Sequence, residues 1–71
     1  MKFRRYEYKF ITITIDLDEI SSIICNYSTT HGIMTVLYKS NSTKLNFKCN
    51  VKDMKEIEED ISDYLLNHIV N

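Results

Sequence analysis

The fold is decided by residues 43–69, TKLNFKCNVKDMKEIEEDISDYLLNHI, in which the spacing of the apolar residues changes near residue 50. Before that point apolar and polar residues alternate, which is typical of a β-strand with one buried face. After it apolar residues recur every three or four positions, which is typical of an amphipathic helix. The sequence therefore predicts a strand over residues 43–51 and a helix over residues 53–69. The core between them is expected to contain Leu45, Phe47, Ile57, Ile61 and Leu65.

The residues before this stretch are rich in aromatic and β-branched types, which favour strands. They predict strands over residues 3–15, 20–27 and 33–39. Residues 28–32 predict a hairpin turn that uses the chain's single glycine, Gly32, in a left-handed conformation. The 71 residues are thus expected to form one small α+β domain. Its predicted architecture is a four-stranded antiparallel β-meander with one C-terminal amphipathic α-helix packed on one face (ββββα).

Charge is distributed unevenly along the chain. Residues 1–50 contain seven Lys and Arg and four Asp and Glu, whereas residues 51–71 contain two and six, so the two parts have net charges of 7 − 4 = +3 and 2 − 6 = −4. A chain that is nearly neutral overall therefore presents two oppositely charged parts, and such separation bears on the choice of partner.

No pattern of residues predicts catalysis, a cofactor or a metal site. Cys25 and Cys49 lie far apart in the sequence, without a CxxC motif or a histidine pair at zinc-ligand spacing. His31 falls in a predicted turn and His68 on the apolar stripe of the helix, so we expect both to be structural. The sequence therefore predicts a protein that is not an enzyme.

The N-terminal ten residues are charged and aromatic, and no apolar run reaches the length of about 18 residues that a membrane span needs. We therefore expect no membrane association and a cytoplasmic location. The abundance of Ile, Lys, Asn and Ser suggests an AT-rich coding genome, as in many phages and mobile elements.

Parts of the sequence are more apolar than the predicted fold requires, because one helix covers only one face of a sheet. The first and third predicted strands have apolar residues on both faces. A β-bulge near Phe10 would explain the first strand, whereas an exposed apolar-aromatic patch, typical of protein interfaces, would explain both. The candidate patch residues are Tyr6, Tyr8, Phe10, Val36 and Tyr38.

The predicted helix offers a second candidate surface opposite its apolar stripe. This surface is acidic and becomes apolar towards the C-terminus. Its residues are Glu56, Glu59, Asp60, Asp63, Leu66 and Val70.

These surfaces predict a small, non-enzymatic interaction or regulatory protein that binds, and could inhibit, a macromolecular partner. A protein partner and a homodimer are expected. The alternative is a nucleic-acid-binding accessory protein, because the N-terminal strand interleaves bases with aromatic residues, as surfaces for single-stranded nucleic acid do. The residues of this alternative are Arg4, Arg5, Tyr6, Tyr8 and Lys9.

Overall fold

The structure, a computed structural model, describes residues 2–40 and 44–69, the last two by their backbone only. In chain order the elements are β1 (Phe3–Glu7), β2 (Thr12–Asp16), a 3₁₀ turn (Leu17–Glu19), β3 (Ile20–Tyr27), β4 (His31–Tyr38), β5 (Lys44–Asn50) and α1 (Val51–Ile69). Strands β1 and β2 form a two-stranded antiparallel sheet, and β3, β4 and β5 form a three-stranded antiparallel sheet with β4 in the middle. The fold is therefore α+β with a C-terminal helix, as predicted.

The predicted four-stranded meander is wrong at its first strand. Residues 3–15 do not form one strand but fold back at residues 8–11, where the Tyr8 amide donates to the Ile11 carbonyl oxygen at 2.8 Å. This hairpin places Tyr6 directly across from Ile13 and turns both towards the core. It thus brings Tyr6 from one apolar face of the predicted strand and Ile13 from the other into contact with the same core, while Phe10 stays exposed.

The helix begins at Val51, two residues before its predicted start, because Asn50 caps it. The Asn50 Oδ1 atom accepts a hydrogen bond from the Asp53 amide at 2.8 Å, and the Asn50 Nδ2 atom donates to the Asp53 carboxylate at 3.0 Å. A polar side chain at this position satisfies an otherwise unpaired amide of the first helical turn. The last strand therefore passes into the helix without a connecting loop.

The core lies between the inner face of the three-stranded sheet, the helix and the β1–β2 hairpin. Met54, Ile57 and Ile61 of the helix are fully buried and share one core cluster with residues of the middle strand and of the hairpin. Of the five residues predicted for the core, Ile57 and Ile61 are fully buried, and the other three are partly buried and pack against it. The buried residues are Tyr6, Ile15, Leu17, Ile20, Met34, Val36, Cys49, Met54, Ile57 and Ile61.

Gly32 permits the close approach of β4 to the helix. A Cβ atom at this position would lie 2.7 Å from Met54 Cγ, 2.9 Å from Met54 Cβ and 2.9 Å from Tyr27 Cε1, and its backbone is not in the left-handed region. The predicted reason for the glycine, a positive φ in the turn, is therefore wrong. The residue lies inside β4, where the absence of a side chain lets the helix contact the strand.

We predict that Ile61→Ala lowers the free energy of unfolding by about 2–5 kcal/mol, because Ile61 is completely buried and the substitution leaves a cavity. Urea denaturation measures the loss. The control is Ser62→Ala, which changes an exposed position on the same helix and should shift stability by less than about 0.5 kcal/mol. A loss of similar size in both variants would contradict the described packing of the helix.

We predict that Gly32→Ala destabilises the protein by about 1–3 kcal/mol through overpacking against Met54. Its effect should then depend on the Met54 side chain. In a double-mutant cycle with Met54→Ala, the combined loss should be smaller than the sum of the single losses. Additive losses would show that the cost arises from Tyr27, the Met54 Cβ atom or the backbone, rather than from the part of the Met54 side chain beyond Cβ.

Candidate protein interface

One broad face of the three-stranded sheet has no other element of the described structure packed over it. Val36 and Met34 point from β4 into the core, so the alternate residues of β4 and their cross-strand neighbours point away from α1. We call this surface the outer sheet face. It consists of Ser22, Ile24, Asn26, His31, Ile33, Thr35, Leu37, Lys44, Asn46 and Lys48.

The centre of the outer sheet face is aliphatic. Ile24 lies directly across from Thr35, and the cross-strand register puts Ile33 and Leu37 at the two diagonal positions. Ile24 and Ile33 are 49% and 45% exposed. Residues in these positions face water in the free protein, and a contiguous aliphatic cluster of this kind is the usual centre of a protein interface.

The border of the outer sheet face is polar and basic. Lys44 lies across from Leu37 and Lys48 across from Ile33, with Asn46 between them on β5. The outer sheet face contains no Asp or Glu, and neither lysine forms an ion pair with any residue that the structure describes. The Thr35 hydroxyl donates a hydrogen bond to Asn46 Oδ1. Because Lys44 and Lys48 form no ion pair with the described residues, both ammonium groups are available to a partner.

The carboxylates of the helix are mostly engaged within the protein. Tyr6 Oη donates to Asp60 Oδ2 at 2.6 Å, and Arg4 Nη1 pairs with the same oxygen at 2.7 Å. Tyr27 donates to Glu58 at 2.5 Å and Tyr8 to Glu56 at 3.3 Å. A fourth hydrogen bond from a tyrosine to a carboxylate, from Tyr64 of the helix to Asp18 of the 3₁₀ turn, measures 2.5 Å. These bonds attach both sheets and the turn to α1.

The pKa directions agree with these contacts. Burial alone would raise the pKa of Asp60, but the hydrogen bond from Tyr6 and the ion pair with Arg4 hold it below its usual value. The hydrogen bond from Tyr64 likewise lowers the pKa of Asp18. Burial, followed by the contact with Asp60, raises the pKa of the Tyr6 hydroxyl. The bonds therefore favour charged carboxylates and neutral tyrosines.

The residues that were predicted as an apolar partner site do not form one exposed surface: some are buried, some are half-buried and some are exposed. Val36 and Tyr6 are buried, so their predicted exposure is wrong; the apolar residues of β4 that face outwards are Ile33 and Leu37 instead. Tyr38 is half-buried and packs against the core. The others are half-buried Tyr8 with its bond to Glu56 and Phe10, which is 86% exposed in the β1–β2 turn. Leu66, which was predicted as part of the helix surface, is exposed.

The predicted acidic face of the helix is divided as well. Glu59 and Asp63 are exposed, and no described residue bonds to either carboxylate. Glu56 is exposed but bonded to Tyr8, and Asp60 is half-buried between Arg4 and Tyr6. Val70 lies outside the described residues. The free acidic charge of the predicted face thus lies on Glu59 and Asp63, one turn apart near the middle of α1.

The basic-aromatic strand of the alternative hypothesis is not one continuous surface. Arg4 and Tyr6 point towards the helix and contact Asp60, and Tyr8 contacts Glu56. Arg5 is exposed, with Glu7 at 3.5 Å. Exposed Lys9 places its Nζ atom 5.4 Å from the centre of the Phe10 ring.

The outer sheet face contains residues that the sequence did not single out as a site. Ile24 and Ile33 lie in apolar runs, in which the sequence alone does not show which residues face outwards. Lys44 and Lys48 were recognisable because they alternate with the apolar residues of β5.

The described residues also bear on two other kinds of site, a metal centre and a membrane-spanning helix. Among these residues, no three His, Cys, Asp or Glu side chains lie close enough together to hold a metal ion. In the same part of the chain, no helix combines the length and the apolar character needed to cross a membrane. Cys25 and Cys49 are both free thiols.

No protein-family profile, curated protein or solved structure matches this chain.

We predict that Tyr6→Phe lowers stability by about 1 kcal/mol at neutral pH, because it removes the hydrogen bond to a charged, partly exposed carboxylate. The folded-state pKa of Asp60 lies below the unfolded value, so its contribution is complete above about pH 4 and is lost as pH falls through the folded pKa. The variant should therefore lose less stability than the wild type on acidification. Urea denaturation between about pH 7 and pH 2 tests this.

The control for this prediction is Tyr38→Phe. Tyr38 is half-buried, and its hydroxyl forms no hydrogen bond with the residues that the structure describes. Its loss should leave the acid dependence unchanged. Equal acid dependence in the wild type and Tyr6→Phe would contradict the described role of the Tyr6–Asp60 bond.

Proposed function

We propose that this chain is a small, non-enzymatic protein that regulates a partner protein by binding it through the outer sheet face. The proposal depends chiefly on the exposed aliphatic cluster of Ile24, Ile33 and Leu37, which none of the described elements covers. Burying such a cluster contributes about 25 cal/mol for each Å² of apolar surface removed from water. The cluster therefore provides a favourable free energy for association.

The partner is proposed to have an aliphatic centre with carboxylates beside it. Lys44 and Lys48 border the cluster on one side and form no ion pair with described residues, so a carboxylate can approach them without displacing another. The neighbouring Asn26 and Asn46 side chains supply hydrogen-bond donors and acceptors. A partner with this pattern would match both the apolar and the charged parts of the face.

Nucleic acid is the less favoured partner. Binding of single strands commonly uses aromatic side chains on which bases stack, and the outer sheet face has no Phe, Tyr or Trp. On the N-terminal hairpin, Arg4, Tyr6 and Tyr8 already contact carboxylates of the helix. The hairpin does expose Phe10 beside Lys9, but both of its arginines are near carboxylates, Arg4 at Asp60 and Arg5 at Glu7, so fewer of its cations are free.

We predict that Ile33→Asp abolishes partner binding while the protein stays folded. The wild type, Ile33→Asp and the control Thr14→Asp are each immobilised and exposed to extract of the native host. Thr14 is exposed on the outer side of β2, so the control adds the same charge to a strand of the other sheet. A true partner should be retained by the wild type and by Thr14→Asp, and should be reduced at least about tenfold on Ile33→Asp.

A photoreactive amino acid at Thr35 locates the contact. In the wild-type background this position should crosslink to the same partner, whereas the same group at Thr14 should not. Equal retention on both Asp variants would refute the outer sheet face as the docking surface. Retention that disappears after nuclease treatment would favour the nucleic-acid alternative instead.

A further inference from the structure

We infer that the outer sheet face binds the outward-facing side of residues 59–66 of α1 from a second copy of this chain, so that copies associate head to tail. The inference rests on the proposed function, because it takes the outer sheet face as the docking surface and names its occupant. The occupying surface, here called the acidic helix end, consists of Glu59, Asp63 and Leu66.

The two surfaces are complementary in charge and in apolar character. Glu59 and Asp63 are exposed and form no bond with the described residues, and Leu66 beside them is 65% exposed. The outer sheet face has free lysines at Lys44 and Lys48, next to aliphatic side chains and without a carboxylate. Each surface thus offers what the other lacks.

One copy cannot bring its own two surfaces together. The helix packs on the inner face of the three-stranded sheet, through Met54, Ile57 and Ile61. Its acidic helix end is on the side away from that sheet, and the outer sheet face points in the opposite direction. The complementary charges are therefore satisfied only between different copies.

The spacing of the residues on the two surfaces agrees. Leu66 follows Asp63 by three residues, about 4.5 Å along the helix axis, and neighbouring strands are about 4.8 Å apart. A helix that crosses the strands therefore places Leu66 over the aliphatic residues of β4 when Asp63 lies over β5. On β5, Lys44 and Lys48 lie about 6.6 Å to either side of Asn46. Both lysines are then within reach of the Asp63 carboxylate of the second copy.

A symmetric dimer through two outer sheet faces is disfavoured by charge. Such a contact would bring together Lys44 and Lys48 of both copies, and neither face contains a carboxylate to offset them. The head-to-tail contact avoids this repulsion. It joins different surfaces, so it either closes into a ring or continues as an open chain of copies.

The contact is small, so association should be weak and reversible. The outer sheet face is three strands wide, roughly 10 Å between its outer strands, and about 25 Å long. Its area is below the roughly 800 Å² per partner of a stable interface. Because free charges contribute to it, the association should also weaken as salt screens them.

Analytical ultracentrifugation of the full chain tests the inference. The weight-average sedimentation coefficient should rise between about 20 μM and 1 mM protein, and the association constant should fall about tenfold between roughly 50 and 500 mM NaCl. The variants Lys44→Glu/Lys48→Glu and Glu59→Lys/Asp63→Lys should each be monomeric. The control Arg5→Glu/Lys9→Glu, which reverses two exposed charges on the β1–β2 hairpin, should associate like the wild type.

Mixing the two monomeric variants provides the decisive result. The first retains an acidic helix end and the second retains an outer sheet face, and their two substituted surfaces are also opposite in charge, so the mixture should associate head to tail with the two variants in alternation. The variant with all four substitutions should regain association, because its charges are exchanged. A wild type that stays monomeric at about 1 mM, or a mixture that forms no complex, would overturn the inference.

Failure of the head-to-tail inference and failure of the proposed function can be told apart. A monomeric wild type whose partner is still lost with Ile33→Asp would remove the second copy as occupant but retain the docking face. Association through the acidic helix end without a partner that depends on Ile33 would instead contradict the proposed regulatory role.

Discussion

The rest of the structure depends on the contact between Gly32 of the middle strand and Met54 of the helix. At this point the strand has no room for a Cβ atom, so the first buried turn of α1 lies directly on β4. Asn50 caps the helix immediately after β5, which leaves no loop that could alter its direction. These two contacts fix the first residue of the helix and its close distance to β4. Ile57 and Ile61 then follow Met54 at about one-turn intervals along the same buried stripe. The β1–β2 hairpin then packs beside the helix and completes the core.

Hydrogen bonds between tyrosines and carboxylates decide which charges remain at the surface. From the sequence alone, the Asp and Glu residues of the helix look like free carboxylates in a row. In the structure, Glu56, Glu58 and Asp60 accept hydrogen bonds from tyrosines of β1, β3 and the β1–β2 turn, so they hold the helix to both sheets. Tyrosine suits this role because its ring packs against the core while its hydroxyl reaches the edge. The acids that stay unbonded among the described residues of α1's outer side are Glu59 and Asp63.

Periodicity was sufficient to predict the helix, the last strand and most of their shared core, because each has one apolar and one polar side. It was insufficient for residues 3–15, where both sides are apolar and where no Gly, Pro or Asn marks the turn at residues 8–11. The same ambiguity misassigned β4. Val36 and Ile33 are similar in hydrophobicity, and only the pairing with β5, whose Leu45 and Phe47 face the core, shows which of them points outwards.

The candidate site could be predicted only in part for a related reason. Lys44 and Lys48 were visible as the polar side of β5, but a site consists of neighbours from several strands, and those depend on register. A shift of one residue of β3 relative to β4 would move Ile24 away from Thr35 and turn Ile24 towards the core, which would break up the aliphatic cluster. The bulge between Ile20 and Ser22, which has no clear sequence signal, contributes to that register.

The outward-facing positions of β2 and β4 hold different types of residue, and this difference bears on the role of the outer sheet face. On β2 the exposed positions hold Thr12 and Thr14, which combine high β-propensity with a hydroxyl. On β4 the equivalent alternate positions hold Ile33 and Leu37 around a single Thr35. Threonine would serve β-structure at those positions nearly as well, so strand formation does not require the aliphatic side chains. In the free chain Ile33 is 45% exposed, so the remaining part of its possible contribution is realised only when another surface covers it.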